Sequence, residues 1–171
     1  MKPPHTASAA KLPEAAQRVA SALSALGHPD SPRMLDAAAR TAQQAADALG
    51  VQLGQIAKSI VFRHVASTRA VLVVCAGDRR VDEARVAQQV GALARADAEF
   101  VRARTGFAIG GVSPLGHAEA PITLIDDSLW RFDRIWAAAG HPHAVFALAP
   151  DDLQRWLGVA ASQVSAPAVQ A

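Results

Sequence analysis

A glycine-rich segment between Thr105 and His117 constrains the fold more than any other part of this 171-residue chain. Its thirteen residues include four glycines and one proline, with apolar residues between them, whereas an ordinary surface turn is short and polar. Glycine permits unusual φ angles and a close approach to the backbone, and proline stiffens the point where the loop rejoins the core. Two interpretations stay open. The segment is a tight bend between strands, or it is a loop whose main-chain N–H groups hold a carbonyl or oxyanion.

The composition indicates one domain with a substantial core. Apolar residues make up 51% of the chain and aromatic residues only 5%, so the core is expected to consist of small aliphatic side chains. The formal net charge of +2 does not by itself require a nucleic-acid partner. The segment from Arg63 to Arg104 has a local balance of +3, from eight arginines and five acidic residues. A basic middle of this kind could meet phosphates, although a solvated face is the commoner explanation.

The single cysteine, Cys75, excludes an intrachain disulfide and fits a reducing compartment. It lies in the apolar run 70–76, so we interpret it as a small core residue of a buried strand rather than a nucleophile. No apolar run approaches the ~20 residues of a membrane span, and the N-terminal residues lack the pattern of a secretory signal. The expected location is cytoplasmic, with no membrane partner.

Hydrophobic periodicity and capping residues predict five helices and several strands. The clearest helix follows Thr41, where Gln44 completes a capping-box pattern and Gly50 stops the helix. The other helices are predicted at 13–26, 82–90, 98–104 and 150–157, and strands at 33–36, 58–65, 69–76, 121–126, 134–138 and 144–148.

This order of elements favours an α+β fold. No period of twenty to fifty residues repeats, and strands do not alternate regularly with helices, which argues against a solenoid and a doubly wound parallel sheet. We expect a single compact domain over 31–160 with a mixed, mostly antiparallel, curved sheet surrounded by helices. A tail and a helix precede it over 1–30, and a C-terminal tail follows over 161–171.

The common motifs of catalysis and cofactor binding are absent. The chain has no phosphate-binding loop ending in Gly-Lys-Ser/Thr, no dinucleotide fingerprint, no Cys-x-x-Cys, no His-Glu-x-x-His and no Gly-x-Ser-x-Gly. His141 and His143 lack a third nearby ligand, so we predict no metal and no cofactor.

Lys58 could hold a phosphate or polarise a bound group, although a solvent-facing lysine at a strand start is the simpler alternative. Ser113 lies in the glycine loop without an assigned base.

Several motifs in one order resemble the YbaK / prolyl-tRNA-synthetase-associated editing domain family. The similarity covers about residues 33–160, and its motifs are the capped helix 41–50, the lysine strand 55–62, the turn 76–82, the glycine–proline loop 105–116, and the short segments 125–129 and 139–141. The resemblance implies a mixed sheet that is partly closed into a barrel, and hydrolysis of the ester bond of mischarged aminoacyl-tRNA. Because no synthetase catalytic domain is present, the chain is similar to the free-standing members that edit in trans.

The resemblance also implies roles for individual residues. Lys58 would anchor the terminal adenosine end of the tRNA, and the backbone around Gly110 and Gly111 would bind the aminoacyl carbonyl. The attacking water would be oriented by the ribose hydroxyl of the substrate, and His141 occupies the position of a functional histidine in some relatives. The same resemblance implies substrate contacts for Val112, Ser113, Pro114, Gly116 and Phe62.

The residues before His141 bear on the substrate. Ala137, Ala138 and Ala139 offer no hydroxyl or thiol-binding group, so we favour a small amino acid, alanine or serine, with threonine and cysteine as alternatives. A synthetase or an elongation factor is a possible partner, since the modest charge argues against tight binding of tRNA by this domain alone. The alternative function is a non-catalytic module that binds aminoacyl-tRNA ends or a synthetase, and a weaker one is a hydrolase of small esters or amides.

Overall fold

The structure is a computed structural model that describes residues 12–168. Within that range the helices are α1 (Glu14–Ala25), α2 (Ala42–Leu49), α3 (Glu83–Val90), α4 (Ala98–Thr105) and α5 (Pro150–Leu157). The strands are β1 (Arg33–Met34), β2 (Ile56–His64), β3 (Ala70–Ala76), β4 (Arg79–Val81), β5 (Leu93–Arg95), β6 (Ile122–Asp126), β7 (Ile135–Ala138), β8 (Ala144–Leu148), β9 (Ala161–Ser162) and β10 (Ser165–Pro167). Short 3₁₀ turns cover Leu53–Gln55 and Asp127–Arg131. None of the described helices is both long enough and apolar enough to span a bilayer.

Eight strands form one mixed sheet, which confirms the predicted α+β class. The strand order is β1-β8-β7-β2-β3-β6-β9, and β5 pairs with the C-terminal end of β2 on the side that faces β7. Strands β4 and β10 form a separate two-stranded ladder. The described pairs include five antiparallel and three parallel ones, the parallel pairs being β2–β7, β3–β6 and β6–β9. The strand path ends at β1 and at β9, so the partial barrel that the resemblance implied is instead an open sheet.

The central strand β3 is buried on both faces because two apolar clusters cover it. Leu72 and Val74 belong to the main core, whereas Val71 and Val73 face a second cluster that includes Val86 of α3. All seven residues of β3 are buried, and Cys75 among them is a core residue as predicted. Each fully buried valine or leucine contributes about 1.5–3 kcal/mol relative to an exposed one. The sequence of such a strand is a continuous apolar run, because neither face of the strand meets water.

Local capping chemistry sets the helix starts that the sequence predicted. The Thr41 side chain accepts a hydrogen bond from the Gln44 backbone N–H, and the Gln44 side chain accepts one from the Thr41 N–H, completing a capping box. Asp82 and Asp97 cap α3 and α4 in the same way, each accepting from the backbone N–H three residues on.

The N-terminal helix is part of the domain rather than an appendage to it. Ala16, Val19 and Leu23 of α1 are buried in the main core, with at most 1% of their surface exposed. The tail predicted before α1 lies outside the described residues. The predicted boundary at residue 31 therefore does not separate α1 from the core that the sheet builds.

Residues 161–168, expected to be a tail, are instead tied to the sheet by a buried carboxylate. Asp126 is 1% exposed and accepts hydrogen bonds from the Val164 N–H at 2.9 Å, the Ser165 hydroxyl at 2.7 Å and the Ser128 N–H at 3.1 Å. Burial would raise the pKa of Asp126, but these hydrogen bonds outweigh it and lower the pKa below its ordinary value. Strands β9 and β10 have only two and three residues, too few to show a periodicity, so the sequence pattern alone did not reveal this attachment.

We predict that Asp126→Ala lowers the free energy of unfolding at neutral pH by about 3 kcal/mol, because it leaves buried donors without a partner. Asp127→Ala, at an exposed neighbour, is the matched control and should stay within about 0.5 kcal/mol of the parent. Because the pKa of Asp126 is depressed in the folded state, its contribution is present at neutral pH and lost as pH falls through the folded pKa. Denaturant unfolding at several pH values checks this. Equal effects of the two variants would contradict the anchoring role.

Candidate functional site

A cavity of about 320 Å³ lies where two parallel strands separate. Strands β2 and β7 pair only at Ile56–Trp136 and Ala57–Ala137, and β5 occupies the same edge of β2 from Phe62 onward. Residues 58–61 therefore have no strand partner on this edge within the described chain. The cavity is bounded by this gap, by the start of α2 and by the segments 109–112 and 141–145. Ligands commonly bind beyond the carboxyl ends of parallel strands, where neighbouring strands diverge.

Lys58 lines this cavity from the unpaired part of β2. Its ammonium group donates a hydrogen bond to the Arg79 carbonyl at the start of β4, and its backbone lies opposite Cys75 of β3. The ammonium is therefore held by the fold and is not a freely moving surface charge. Three N–H donors are available on a lysine, so the bond to Arg79 leaves others for a bound phosphate or hydroxyl.

The glycine-rich loop is shaped by close contact with the segment after β7. A Cβ atom added to Gly111 would lie 2.9 Å from both the backbone N and Cα of His141, closer than real Cβ atoms approach. Gly110 has φ of +91°, in the region that favours glycine. Each of the two glycines is thus required for a different reason. Together they bring the loop backbone to the cavity wall beside His141.

The loop offers two unpaired main-chain donors at the cavity. The Gly111 N–H donates to the Ala108 carbonyl at 3.1 Å and is therefore occupied. The N–H groups of Gly110 and Val112, both lining residues, donate to no atom of residues 12–168. Backbone N–H groups of this kind can stabilise a developing oxyanion without reorganising. The sequence analysis treated the backbone around Gly110 and Gly111 as one set of donors. In the structure the Gly110 N–H has no partner among residues 12–168, whereas the Gly111 N–H is already bonded.

Arg18 of α1 and His117 hold the loop from behind. The Arg18 guanidinium donates to the carbonyls of Gly106 and Gly116, each at 3.0 Å, and lies 4.6 Å from the centre of the Phe107 ring. His117 Nε2 bonds the Ser113 carbonyl at 2.5 Å, which requires a proton on that nitrogen. Burial lowers the pKa of His117, so the neutral form with its Nε2 proton is favoured at neutral pH. These contacts tie the loop to α1 at both of its ends and hold it across its middle.

His141 faces the cavity while its neighbour His143 is used by the fold. His141 Nδ1 accepts a hydrogen bond from the His143 backbone N–H at 3.1 Å, so the neutral ring carries its proton on Nε2. His143 Nδ1 donates to the Leu35 carbonyl at 3.1 Å. His141 can therefore act as a hydrogen-bond donor through Nε2. Among residues 12–168, no group of three or more histidine, cysteine, aspartate or glutamate side chains is placed to hold a metal ion.

The predicted site residues divide into two sets. The cavity wall contains Lys58, Gly110, Val112 and His141. The remaining five lie outside the wall and support it or pack elsewhere. Gly111 contacts the His141 backbone, Ser113 and Pro114 are buried in the loop, Gly116 approaches Phe107 and Val19, and Phe62 packs in the second apolar cluster.

Several lining residues carried no chemical signal in the sequence. The start of α2 contributes Arg40 and Thr41, β7 contributes Trp136, and the loops contribute Ile109 and Pro142. They are distant in the chain. The stretch before α2 is held against the segment after β7 by hydrogen bonds from the Ala39 N–H to the Pro142 carbonyl, at 2.8 Å, and from the Leu35 N–H to the His143 carbonyl. Sequence reasoning had singled out Ala137 and Ala138, which do line the cavity.

Two other features are less suited to chemistry. Burial raises the pKa of the Cys75 thiol to about 11, so it is protonated at neutral pH and a poor nucleophile. A second cavity of about 460 Å³ lies between the turn after α1 and α5, and is lined by polar side chains that include Asp30, Arg134 and Asp152. It contains none of the predicted site residues. We therefore assign the candidate site to the cavity beside Lys58.

Comparison with known proteins identifies relatives of the whole fold. A protein described as a candidate trans-editing enzyme for prolyl-tRNA synthetase has a solved structure that superimposes with a TM-score of 0.84 and 37% identity, over 91% of this chain and 99% of that one. The hypothetical protein APE2540 superimposes with a TM-score of 0.79 at 25% identity, over 87% and 99% of the two chains. The Bacillus subtilis (strain 168) protein YwhH, itself uncharacterised, is 38% identical over 117 residues, which are 68% of this chain and 74% of YwhH.

The family model for the aminoacyl-tRNA editing domain matches residues 36–156. This range begins just before the capped start of α2 and ends within α5, and it includes every residue of the cavity wall. The chain therefore belongs to the aminoacyl-tRNA editing domain family.

Proposed function

We propose that this protein is a trans-acting deacylase that hydrolyses the ester bond of tRNA mischarged with a small amino acid. The observation that carries the proposal is that Lys58, His141, Gly110 and Val112 line one small cavity, the last two with backbone N–H groups that have no partner among residues 12–168. Family membership supplies the substrate class. The two hydroxyl groups of the cavity wall have no hydrogen-bonded base to activate them, since Thr41 Oγ1 caps α2 and Ser59 Oγ has no partner among residues 12–168. This suits attack by water.

The chemistry follows from where these groups lie. Water attacks the aminoacyl carbonyl carbon, and the negative charge that develops on its oxygen is stabilised by the N–H groups of Gly110 and Val112. The bond from the carbonyl carbon to the ribose oxygen then breaks. The amino acid leaves with the water oxygen in its new carboxyl group, and the ribose oxygen takes up the proton that the attacking water gives up. The neighbouring ribose hydroxyl of the substrate orients the water, while Lys58 and the Nε2 proton of His141 hold the terminal nucleotide.

The cavity wall favours a small aminoacyl group. At about 320 Å³ the cavity lies at the lower end of small-molecule sites, and much of its wall consists of alanine side chains. Ala137 and Ala138 face the space from β7, and Ala57 from β2. These methyl groups present no thiol or hydroxyl partner, and the hydroxyl groups of the wall are confined to Thr41, which caps α2, and Ser59. We propose alanine first and serine second as the amino acid removed, with threonine and cysteine as poorer substrates.

The proposed RNA is the tRNA that prolyl-tRNA synthetase charges, since a structural neighbour is described as a candidate trans-editing enzyme for that synthetase. The formal net charge of +2 argues for modest and salt-sensitive affinity for RNA. A synthetase or elongation factor that presents the charged tRNA would supply the remaining affinity. The proposal therefore predicts faster turnover in the presence of such a partner.

Lys58→Met tests the catalytic assignment. Methionine keeps the unbranched stem but removes the ammonium group that holds the terminal nucleotide, so the ester would be misplaced and we expect about a hundredfold loss of kcat/KM for deacylation. The midpoint of thermal unfolding should change little. Arg80→Met, at an exposed β4 position outside the cavity, is the control and should retain activity. Parallel loss of activity and stability in Lys58→Met would instead indicate a structural role.

Ala138→Val tests the proposed size limit. The added methyl groups would narrow the wall, so the ratio of kcat/KM for alanyl-tRNA over seryl-tRNA should rise about tenfold. Ala94→Val makes the same change on exposed β5 and should leave the ratio unaltered. Deacylation assays with both substrates measure the effect. Equal losses on both substrates in Ala138→Val would mean that this part of the wall does not contact the aminoacyl side chain.

A further inference from the structure

The ammonium group of Lys58 is held by a strand that lies outside the main sheet. Its hydrogen-bond acceptor is the Arg79 carbonyl in β4, and among the described residues the only strand that pairs with β4 is β10. Strand β10 follows residue 156, where the match to the editing-domain model ends. The acceptor that holds the lysine is therefore itself held by the C-terminal end of the described chain.

Strand β10 is bonded to both ends of β4. At one end the Ala168 N–H donates to the Asp78 carbonyl at 3.2 Å, and at the other end the Asp82 N–H donates to the Val164 carbonyl at 2.8 Å. The ladder pairs of residues 165–167 lie between these two bonds. Because the ladder is closed at both ends, β4 cannot shift along β10 without breaking several hydrogen bonds.

The Ser165 hydroxyl joins this ladder to the main sheet. It donates to Asp126 Oδ2 at 2.7 Å and accepts from Arg79 Nε at 3.1 Å. Ser165 is 2% exposed and Asp126 is 1% exposed, so loss of the hydroxyl would leave the buried carboxylate one donor short. One side chain thus connects the residue that accepts from Lys58 to the carboxylate at the end of β6.

These contacts form a closed circuit around Lys58. From β2 the sheet passes through β3 to β6, which carries Asp126. The hydrogen bonds of Ser165 and Arg79 then lead back to the lysine ammonium. The backbone of Lys58 is fixed by its pairing opposite Cys75, and its ammonium is fixed by this return path. A flexible lysine side chain that is held at both ends has less conformational freedom to lose when a ligand binds.

We propose that β10, through the Ser165 hydroxyl, positions the Lys58 ammonium for the aminoacyl ester, so that the C-terminal segment is a working part of the site. Ser165 is a positioning residue, because it lies outside the cavity wall and acts through Arg79 and Lys58. The effect of Ser165 on the reaction rate rests on the proposed function, whereas its effect on the freedom of the Lys58 side chain does not. A displacement of about 1 Å in a positioning contact can cost about a hundredfold in rate.

The change Ser165→Ala in two backgrounds separates positioning from loss of stability. In the parent protein we expect kcat/KM for deacylation of alanyl-tRNA to fall about tenfold, because the ammonium is no longer held in one place. In the Lys58→Met protein the same change should lower kcat/KM by less than about twofold, since the group that Ser165 positions is already gone.

Two further variants frame this comparison. Ser162→Ala is the matched control, because the Ser162 hydroxyl is buried in the same C-terminal segment and has no partner among residues 12–168. It should retain the parental kcat/KM. Arg79→Met breaks the link to Ser165 at a partly exposed position and keeps the backbone carbonyl that accepts from Lys58. It should show the same dependence on the Lys58 ammonium as Ser165→Ala.

Nuclear magnetic resonance of the lysine side chains measures the restriction without any substrate. The chain has three lysines, Lys2, Lys11 and Lys58, so protein labelled with ¹³C at lysine Cε gives few signals. The signal that is absent from Lys58→Met belongs to Lys58. The order parameter of its Cε–H bonds should fall in Ser165→Ala and in Arg79→Met, and should keep its parental value in Ser162→Ala.

The two readouts distinguish failure of this proposal from failure of the proposed function. If the parent protein hydrolyses no ester, the proposed function fails, while the order parameters still decide whether Ser165 positions Lys58. Lower order parameters, with a rate effect that disappears in the Lys58→Met background, support the proposal. Unchanged order parameters in both Ser165→Ala and Arg79→Met would overturn it. Equal rate losses with and without the Lys58 ammonium would also overturn it, since they would indicate a general loss of stability.

Discussion

The separation of β2 from β7 after two paired residues is the constraint on which the site depends. Strand β3 holds the opposite edge of β2 from Ala57 to Arg63, so β2 stays extended even where β7 leaves it. Residues 58–61 therefore keep an open edge in an otherwise continuous sheet. A longer β7 would pair with Lys58 and fill the cavity, whereas loss of the β3 pairing would leave Lys58 without a fixed position. The site is a consequence of strand lengths as much as of particular side chains.

The second requirement is the approach of two loops that are distant in the chain. Gly111 packs against the His141 backbone at a distance that no side chain permits, and the start of α2 is tied to the same segment through the Pro142 carbonyl. Arg18 and His117 fix the far side of the glycine-rich loop. Catalytic donors on a loop act well only when the loop does not have to reorganise, so the supporting contacts matter as much as the donors. Most of the support comes from residues that carry no catalytic signature.

Sequence patterns predicted the long elements well, because capping boxes and apolar periodicity are local signals. Thr41 with Gln44, and the continuous apolar run of β3, are examples whose structure follows from neighbours in the chain. Strands β4, β5, β9 and β10 were missed because each has only two or three residues and depends on a distant partner. The attachment of Val164 and Ser165 to Asp126 joins positions almost forty residues apart, and no local pattern encodes it. Lys58 and His141 could be predicted as site residues from their residue type and from the family resemblance. Arg40, Trp136 and Ile109 carry no such signal, and only the fold shows that they line the cavity.

The central claim is that the cavity beside Lys58 binds a small aminoacyl ester on RNA and promotes its hydrolysis. Its most direct test is a comparison of single-turnover deacylation rates of the purified protein on one tRNA charged with glycine, alanine, serine, threonine or cysteine. Our account predicts fast cleavage for alanine, slower cleavage for serine, and a steep fall for the larger or more polar side chains. A lack of cleavage across the series, with tRNA binding retained, would contradict the account and favour a non-catalytic module that recognises aminoacyl-tRNA ends.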